Sequence, residues 1–170
     1  MTTKCCSAGL LALLLVACAS PAPKPAPAPA APARDWVAEI RAQSAALDTA
    51  VVVEPLADPA VDDLKRRAQA AEAAGDLAAA RSDYEQVVAL HPDDPVAWQA
   101  LAELSLREGD WKAAARDAQR SFALGPRSGP LCLRNWLTIR AARVETGDTF
   151  NVPSAEAQAA ACAVKPIIRL

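Results

Sequence analysis

A repeat with a period of 34 residues runs through the middle of the chain and constrains its fold more than any other feature. The dipeptide Gly75-Asp76 recurs as Gly109-Asp110, and the same shift brings further pairs of residues into register. These pairs are Leu64 with Trp98, Leu77 with Trp111, Ala80 with Ala114, Leu90 with Leu124, and Pro92 with Pro126. So many matches at one period indicate two copies of a stacked helix–turn–helix unit.

The repeated residues have physical roles that fit such a unit. The glycines stand where the first helix must stop and reverse, which often requires left-handed backbone. The prolines end the second helix, because proline cannot continue the hydrogen-bond ladder. Asp58-Pro59 and Asp94-Pro95 each supply an N-cap followed by proline at the first helical position. The pattern resembles the tetratricopeptide repeat (TPR), with one motif at 61–94 and a second at 95–128. The resemblance gives the repeated alanines the family's close-crossing position between helices.

A degenerate third hairpin is predicted over residues 129–170. Trp136 and Gly147 lie eleven residues apart, as Trp98 and Gly109 do. We expect one helix from about 131 to 145, a second from about 154 to 164, and a C-terminal tail. The first of these helices is expected to bury its large apolar residues, which are Trp136, Ile139 and Val144.

Residues 34–60 are predicted to form a flanking helix and an extended connector. Trp36, Ile40 and Leu47 follow helical spacing, and Asp35 precedes them as a cap. A repeat array needs terminal elements and about three units for stability. The fold class is therefore all-α, a short TPR solenoid with this flanking helix and the degenerate hairpin. A homodimer that covers an open end of the array is the alternative.

Residues 1–17 have the layout of a secretory signal peptide. Lys4 precedes an apolar run over 8–16, which is too short to cross a bilayer. Leu15-Val16-Ala17-Cys18 resembles the lipobox of bacterial lipoproteins, which implies cleavage before Cys18 and lipid modification of that cysteine. Ala19 stands where an aspartate tends to retain such proteins at the inner membrane. The resemblance therefore implies an outer-membrane lipoprotein that faces the periplasm.

The lipid-anchored segment 18–33 is a Pro/Ala-rich linker. Six prolines fall between residues 20 and 33. Such a tract favours polyproline II geometry and reaches about 40 Å at full extension. We expect a spacer that holds the folded part off the membrane, and the alternative is a recognition motif for a proline-binding domain.

The remaining cysteines predict a disulfide. Cys5 and Cys6 belong to the signal peptide and Cys18 to the anchor, which leaves Cys132 and Cys162. They lie at the expected start and end of the third hairpin, and the two ends of an antiparallel hairpin meet. An even remainder in an exported protein favours a bond between them. Two unpaired, buried cysteines are the alternative.

The sequence gives little support for catalysis, metal binding or nucleic-acid binding. The single histidine, His91, stands beside Asp93 and Asp94, where a solvated turn with a helix cap is favoured over a metal site. The catalytic motifs with a defined spacing are absent. The net charge of -2 gives no basic footprint for nucleic acid. We predict a non-enzymatic protein without a cofactor.

The expected function is protein–protein interaction through the concave face of the solenoid, which is lined by first helices. In the TPR family this face often holds a peptide of a partner. The resemblance implies exposed partner-binding positions at Lys65, Gln69, Glu72, Val96, Gln99, Glu103, Arg107, Arg134 and Arg143. The alternative is a solvated face of mixed charge. Three functions stay open: a periplasmic adaptor for envelope proteins such as peptidoglycan enzymes, a pilotin-like factor for an outer-membrane secretin, and a hydrolase with an unrecognised site.

Replacing Cys18 by serine is expected to abolish lipidation, because the lipobox resemblance places the lipid on that cysteine. Metabolic labelling with a palmitate analogue should mark the wild-type protein and leave Cys18→Ser unmarked and released from the membrane fraction. Cys6→Ser is the matched control, since Cys6 precedes the expected cleavage site. Label retained in Cys18→Ser would contradict the assignment.

Overall fold

The computed structural model describes residues 34–47 and 58–163. These residues form seven α-helices and no β-strand. The helices are α1 (Trp36–Ala45), α2 (Pro59–Ala73), α3 (Leu77–Leu90), α4 (Pro95–Glu108), α5 (Trp111–Leu124), α6 (Pro130–Glu145) and α7 (Val152–Ala161). The predicted signal peptide, Cys18, the linker, the connector over 48–57 and the tail over 164–170 lie outside the described residues.

The helices pack as three consecutive hairpins. Helix α2 pairs with α3, α4 with α5, and α6 with α7, while α3 contacts α4 and α5 contacts α6 to join one hairpin to the next. The first helices α4 and α6 also contact each other. This is the stacked arrangement predicted from the 34-residue register.

Aspartate N-caps start the first five helices. In each case the carboxylate accepts a hydrogen bond from a backbone N–H in the first turn of the helix, a contact that stabilises a helix by about 1 kcal/mol. The capping residues are Asp35, Asp58, Asp76, Asp94 and Asp110. The caps predicted at three of these positions are confirmed, and the aspartate of each Gly-Asp pair proves to be a cap as well.

The turn between the helices of each repeat depends on left-handed glycine. Gly75 has a φ of 82° and Gly109 a φ of 77°. The amide of Gly109 donates to the carbonyl of Leu106, and that of Asp110 donates to the carbonyl of Ser105. These bonds satisfy the last carbonyls of α4, as a left-handed C-terminal cap does. The predicted reversal at both glycines is confirmed.

The third hairpin differs in detail from its prediction. Helix α7 begins at Val152 and ends at Ala161, earlier at both ends than expected. Ile139 is buried as predicted, and Trp136 is partly buried with its ring 5.0 Å from that of Phe122. Val144 is 38% exposed, so its predicted burial is wrong. It lies in the last turn of α6, where the chain from 144 to 147 is exposed throughout.

Helix α1 packs across α6 and α4. Its buried residues Trp36, Val37 and Ile40 join a core cluster with Leu106 and Leu137. The helix therefore lies over first helices of the solenoid. The sequence predicts only a flanking element that shields an end of the array. None of the helices within 34–47 and 58–163 has the length and apolar character needed to cross a membrane.

A disulfide joins Cys132 to Cys162, as predicted, with the two Cα atoms 5.6 Å apart. Both residues are 1% exposed. The amide of Gly129 also donates to the carbonyl of Cys162 over 2.8 Å. The disulfide and this hydrogen bond both connect the N-terminal end of α6 with the C-terminal end of α7.

Loss of this disulfide is expected to lower the free energy of unfolding by about 3–4 kcal/mol, because the bond closes a loop of 30 residues in the unfolded chain. Urea unfolding of the wild type with and without reductant measures the effect. The control is Cys132→Ser with Cys162→Ser, whose midpoint should match the reduced wild type and ignore the reductant. An unchanged wild-type midpoint on reduction would contradict the expectation.

Candidate partner-binding face

The predicted partner-binding residues all belong to the first helices α2, α4 and α6, as expected from the repeat pattern. Their exposure is far from uniform. Gln69, Val96 and Arg107 are exposed, whereas Gln99 and Glu103 are completely buried. The predicted exposure of Gln99 and Glu103 is therefore wrong, because α1 and α6 cover this part of the face.

Glu103 is the centre of a buried ionic network. Its carboxylate accepts from Arg41 of α1 over 2.7 Å and from Arg134 of α6 over 2.8 Å. The side-chain amide of Gln99 lies between this carboxylate and the hydroxyl of Thr138, at 3.0 and 2.9 Å. A buried carboxylate is costly unless its lone pairs are satisfied by such donors. The network therefore locks α1, α4 and α6 together through charge.

A second carboxylate extends the network to α2. Glu72 accepts a hydrogen bond from Arg41 over 2.6 Å and forms an ion pair with Arg107 at 3.2 Å, and its side chain is 9% exposed. Burial by itself would lower the pKa of Arg41, but the charges of Glu103 and Glu72 outweigh it and raise the pKa. Arg41 thus stays charged and bridges two repeats from a helix outside both.

Tyr84 of α3 lies close enough to this network to be affected by its charges. Burial raises the pKa of its phenol to about 12, and the negative charge of Glu72 adds to the shift. The phenol is 4% exposed and belongs to the core cluster of the first repeat. The pKa of Tyr84 is therefore a measure of how tightly the core of the first repeat is packed next to Glu72.

Four predicted residues are engaged within the fold. Lys65 forms an ion pair with Asp94, the carboxylate that also caps α4. Arg134 is bound to Glu103, and Glu72 to its two arginines, as described above. Arg143 donates to the backbone carbonyl of Asn151 over 2.6 Å and so supports the turn between α6 and α7.

The open part of the face is a small patch beside α1. We call it the rim patch and define it by Arg41, Gln69, Glu72 and Arg107. Gln69 precedes Glu72 by three residues on α2, which places the two side chains on neighbouring positions of one helix face. The side chains of Arg41 and Arg107 are 40% and 32% exposed. The patch offers guanidinium and amide groups at the edge of a buried anionic centre.

Sequence reasoning missed Arg41. The residue follows Ile40 in the flanking helix, and nothing local distinguishes it from any other solvated arginine. Its partners Glu72 and Glu103 are 31 and 62 residues away in the chain. Only the packing of α1 over the first helices reveals its role.

His91 takes the structural part predicted for it. Its amide donates to the carbonyl of Val87 at the end of α3, and its carbonyl accepts from the amide of Asp94. Within the part of the chain that the structure describes, no three His, Cys, Asp or Glu side chains are grouped to hold a metal ion.

Comparisons with known proteins agree with this architecture. The family model described as the tetratricopeptide repeat matches residues 61–104. No curated protein matches the chain. The solved structure of the globular C-terminal domain of LpoP from P. aeruginosa is 27% identical, with a TM-score of 0.56 over 61% of this chain and 98% of that one. These findings confirm the predicted all-α TPR fold and support a protein–protein interaction module.

The ionisation of Tyr84, the only tyrosine of the chain, is expected to occur near pH 12 in the folded protein. An unfolded tyrosine ionises at about pH 10. Because the unfolded state releases the proton first, the stability that this phenol confers is complete below about pH 10 and is lost as the pH rises towards the folded value. The absorbance of the tyrosinate ion measures the titration, with the chain in guanidinium as control. A folded midpoint at the unfolded value would contradict the packing described for Tyr84.

Proposed function

We propose that this protein is a lipid-anchored adaptor of the bacterial envelope that binds a protein partner through the rim patch. The TPR-like fold supports the interaction role, and the observation that carries the site is the partial closure of the first-helix face. Helices α1 and α6 cover Gln99 and Glu103, whereas Gln69 of α2 stays exposed. The adaptor role is non-catalytic and requires no cofactor.

The chemistry of the rim patch favours a polypeptide segment rich in acceptors. Arg41 and Arg107 share Glu72, and each guanidinium carries more N–H groups than these contacts use. The planar guanidinium of arginine can donate two parallel hydrogen bonds to one carboxylate, which the ammonium group of lysine cannot do. A partner strand or helix with a carboxylate or free carbonyls therefore fits the patch.

The envelope placement rests on the N-terminal pattern. The lipobox resemblance at Leu15–Cys18 and the proline-rich segment after it support an anchor and a spacer, with the outer membrane favoured by Ala19. A tethered module of this kind is suited to an enzyme or regulator of the cell wall as partner. Homodimerisation at an end of the array is the alternative, and it would give crosslinks between two copies of this chain in the same experiment.

Arg107→Ala combined with Gln69→Ala is expected to lower partner recovery about tenfold, equivalent to about 1.4 kcal/mol of binding free energy. The measurement is crosslinking in intact cells of the source organism, followed by affinity capture and quantitative mass spectrometry. The matched control is Arg66→Ala, an arginine of α2 whose side chain is 72% exposed and lies outside the patch. Circular dichroism checks that all variants fold.

The identity of the partner then refines the assignment. A wall enzyme or its regulator supports the adaptor, while a secretin whose multimers vanish on deletion of the protein supports the pilotin-like role. Equal recovery by the double variant and the control would contradict binding at the rim patch.

A further inference from the structure

Exposed cations that lack a carboxylate partner are concentrated on α5. Among the described residues most arginines and lysines form an ion pair within the chain. Within the same residues, those without a carboxylate at ion-pair distance are Lys112, Arg120, Arg127 and Arg143. Arg143 is held by a backbone carbonyl, and the other three lie on α5 or in the turn after it.

The exposed face of α5 carries no carboxylate. It consists of Lys112, Arg116, Gln119, Arg120 and Ala123. Lys112, Arg116 and Arg120 recur at every fourth residue, so they form one stripe along about 12 Å of helix. We call this stripe the α5 ridge. Asp117 binds Arg116 at 2.9 Å but is itself 3% exposed, and the guanidinium side chain stays 71% exposed.

The ridge contrasts with helices α2 and α3, whose arginines have carboxylate partners. On α2, Arg66 pairs with Asp63 and Arg67 with Asp83, so that side carries its own counter-charges. On α3, Arg81 lies 2.6 Å from Glu108. In a chain with a net charge of -2, a stripe in which Lys112 and Arg120 have no carboxylate at ion-pair distance is a local exception.

The position of Lys112 makes the stripe intrinsically unfavourable for the isolated protein. Lys112 is the second residue of α5, and the N-terminal end of a helix carries partial positive charge that disfavours a cation. Asp110 caps this end through the amide of Ala113 and forms no ion pair with Lys112. A bound anion beside Lys112 would relieve this repulsion.

We propose that the α5 ridge docks an acidic helical segment of a protein partner. Carboxylates spaced by four residues on a helix recur about every 6 Å, which matches the spacing of the ridge cations. Arginine forks suit carboxylates, and charge complementarity of this kind sets partner choice and association rate. The exposed face offers Gln119 and Ala123 and no large apolar side chain for insertion, which favours a protein over a lipid surface. The ridge belongs to a second helix, so this site is separate from the rim patch.

The test is binding of the whole chain, purified in mild detergent, to a fluorescent alanine-rich peptide with glutamate at every fourth position. We expect anisotropy to show binding that weakens about tenfold when salt rises from about 50 to about 300 mM, because exposed charges are screened. Lys112→Gln with Arg120→Gln should lower the affinity at least about tenfold. The matched control removes two other exposed cations, Arg34→Gln with Arg66→Gln, and should bind like the wild type. The same peptide with glutamine in place of glutamate should not bind.

Flotation with lipid vesicles tests whether the ridge binds an anionic membrane surface instead of a protein. We expect the wild type and the ridge variant to bind equally little to pure phosphatidylcholine vesicles and to vesicles with about a third phosphatidylglycerol. Peptide affinity that is equal in the ridge and control variants would overturn the site. Vesicle binding lost only in the ridge variant, without peptide binding, would overturn the protein partner and assign the ridge to an anionic membrane surface.

Discussion

The carboxylate of Glu103 is the interaction on which the arrangement of this protein depends. It lies at zero exposure in α4, and arginines from α1 and α6 reach it from two directions. An unpaired charge at such a position costs several kcal/mol, so α1 and α6 must stay where their arginines reach it. Apolar packing of Trp36 and Ile40 against α4 and α6 acts in the same direction. Charge and hydrophobic burial together hold α1 across the solenoid.

This arrangement changes what the first-helix face can do. A groove lined by α4 and α6 would offer Gln99 and Glu103 to a partner, but here the chain's own helix takes that place. Access remains at the rim patch, where Arg41 and Arg107 both contact Glu72 and are partly exposed to solvent. The α5 ridge lies on a second helix, and two of its cations, Lys112 and Arg120, have no carboxylate at ion-pair distance among the described residues. Two separate surfaces suit a protein that brings partners together.

The elements with local signals were predictable from the sequence. Gly109 must adopt positive φ to end α4, and Asp94 followed by proline starts a helix, so both positions could be read without tertiary information. The disulfide was also predictable, because the ends of an antiparallel hairpin meet. Gln99 and Glu103 were misassigned because burial of a polar residue on a first helix depends on what packs over it. For Gln99 that cover includes Thr138 of α6. For Glu103 it includes Arg41, which is 62 residues away in the chain and carries no local mark. The predicted burial of Val144 was wrong for a related reason, because apolar spacing does not show where the end of a helix extends beyond the helices that pack against it.

The most direct test of this account is amide hydrogen exchange of the whole chain, resolved by mass spectrometry for peptides from α1, α4 and α6. If Glu103 fixes α1 as part of the core, amides in the middle of α1 will exchange only through global unfolding, with the same protection as those of α4 and α6. Removing the guanidinium by Arg41→Met should then lower protection of all three helices together. Rapid exchange of α1 in the wild type, with α4 and α6 still protected, would contradict the account and show that the face opens without unfolding.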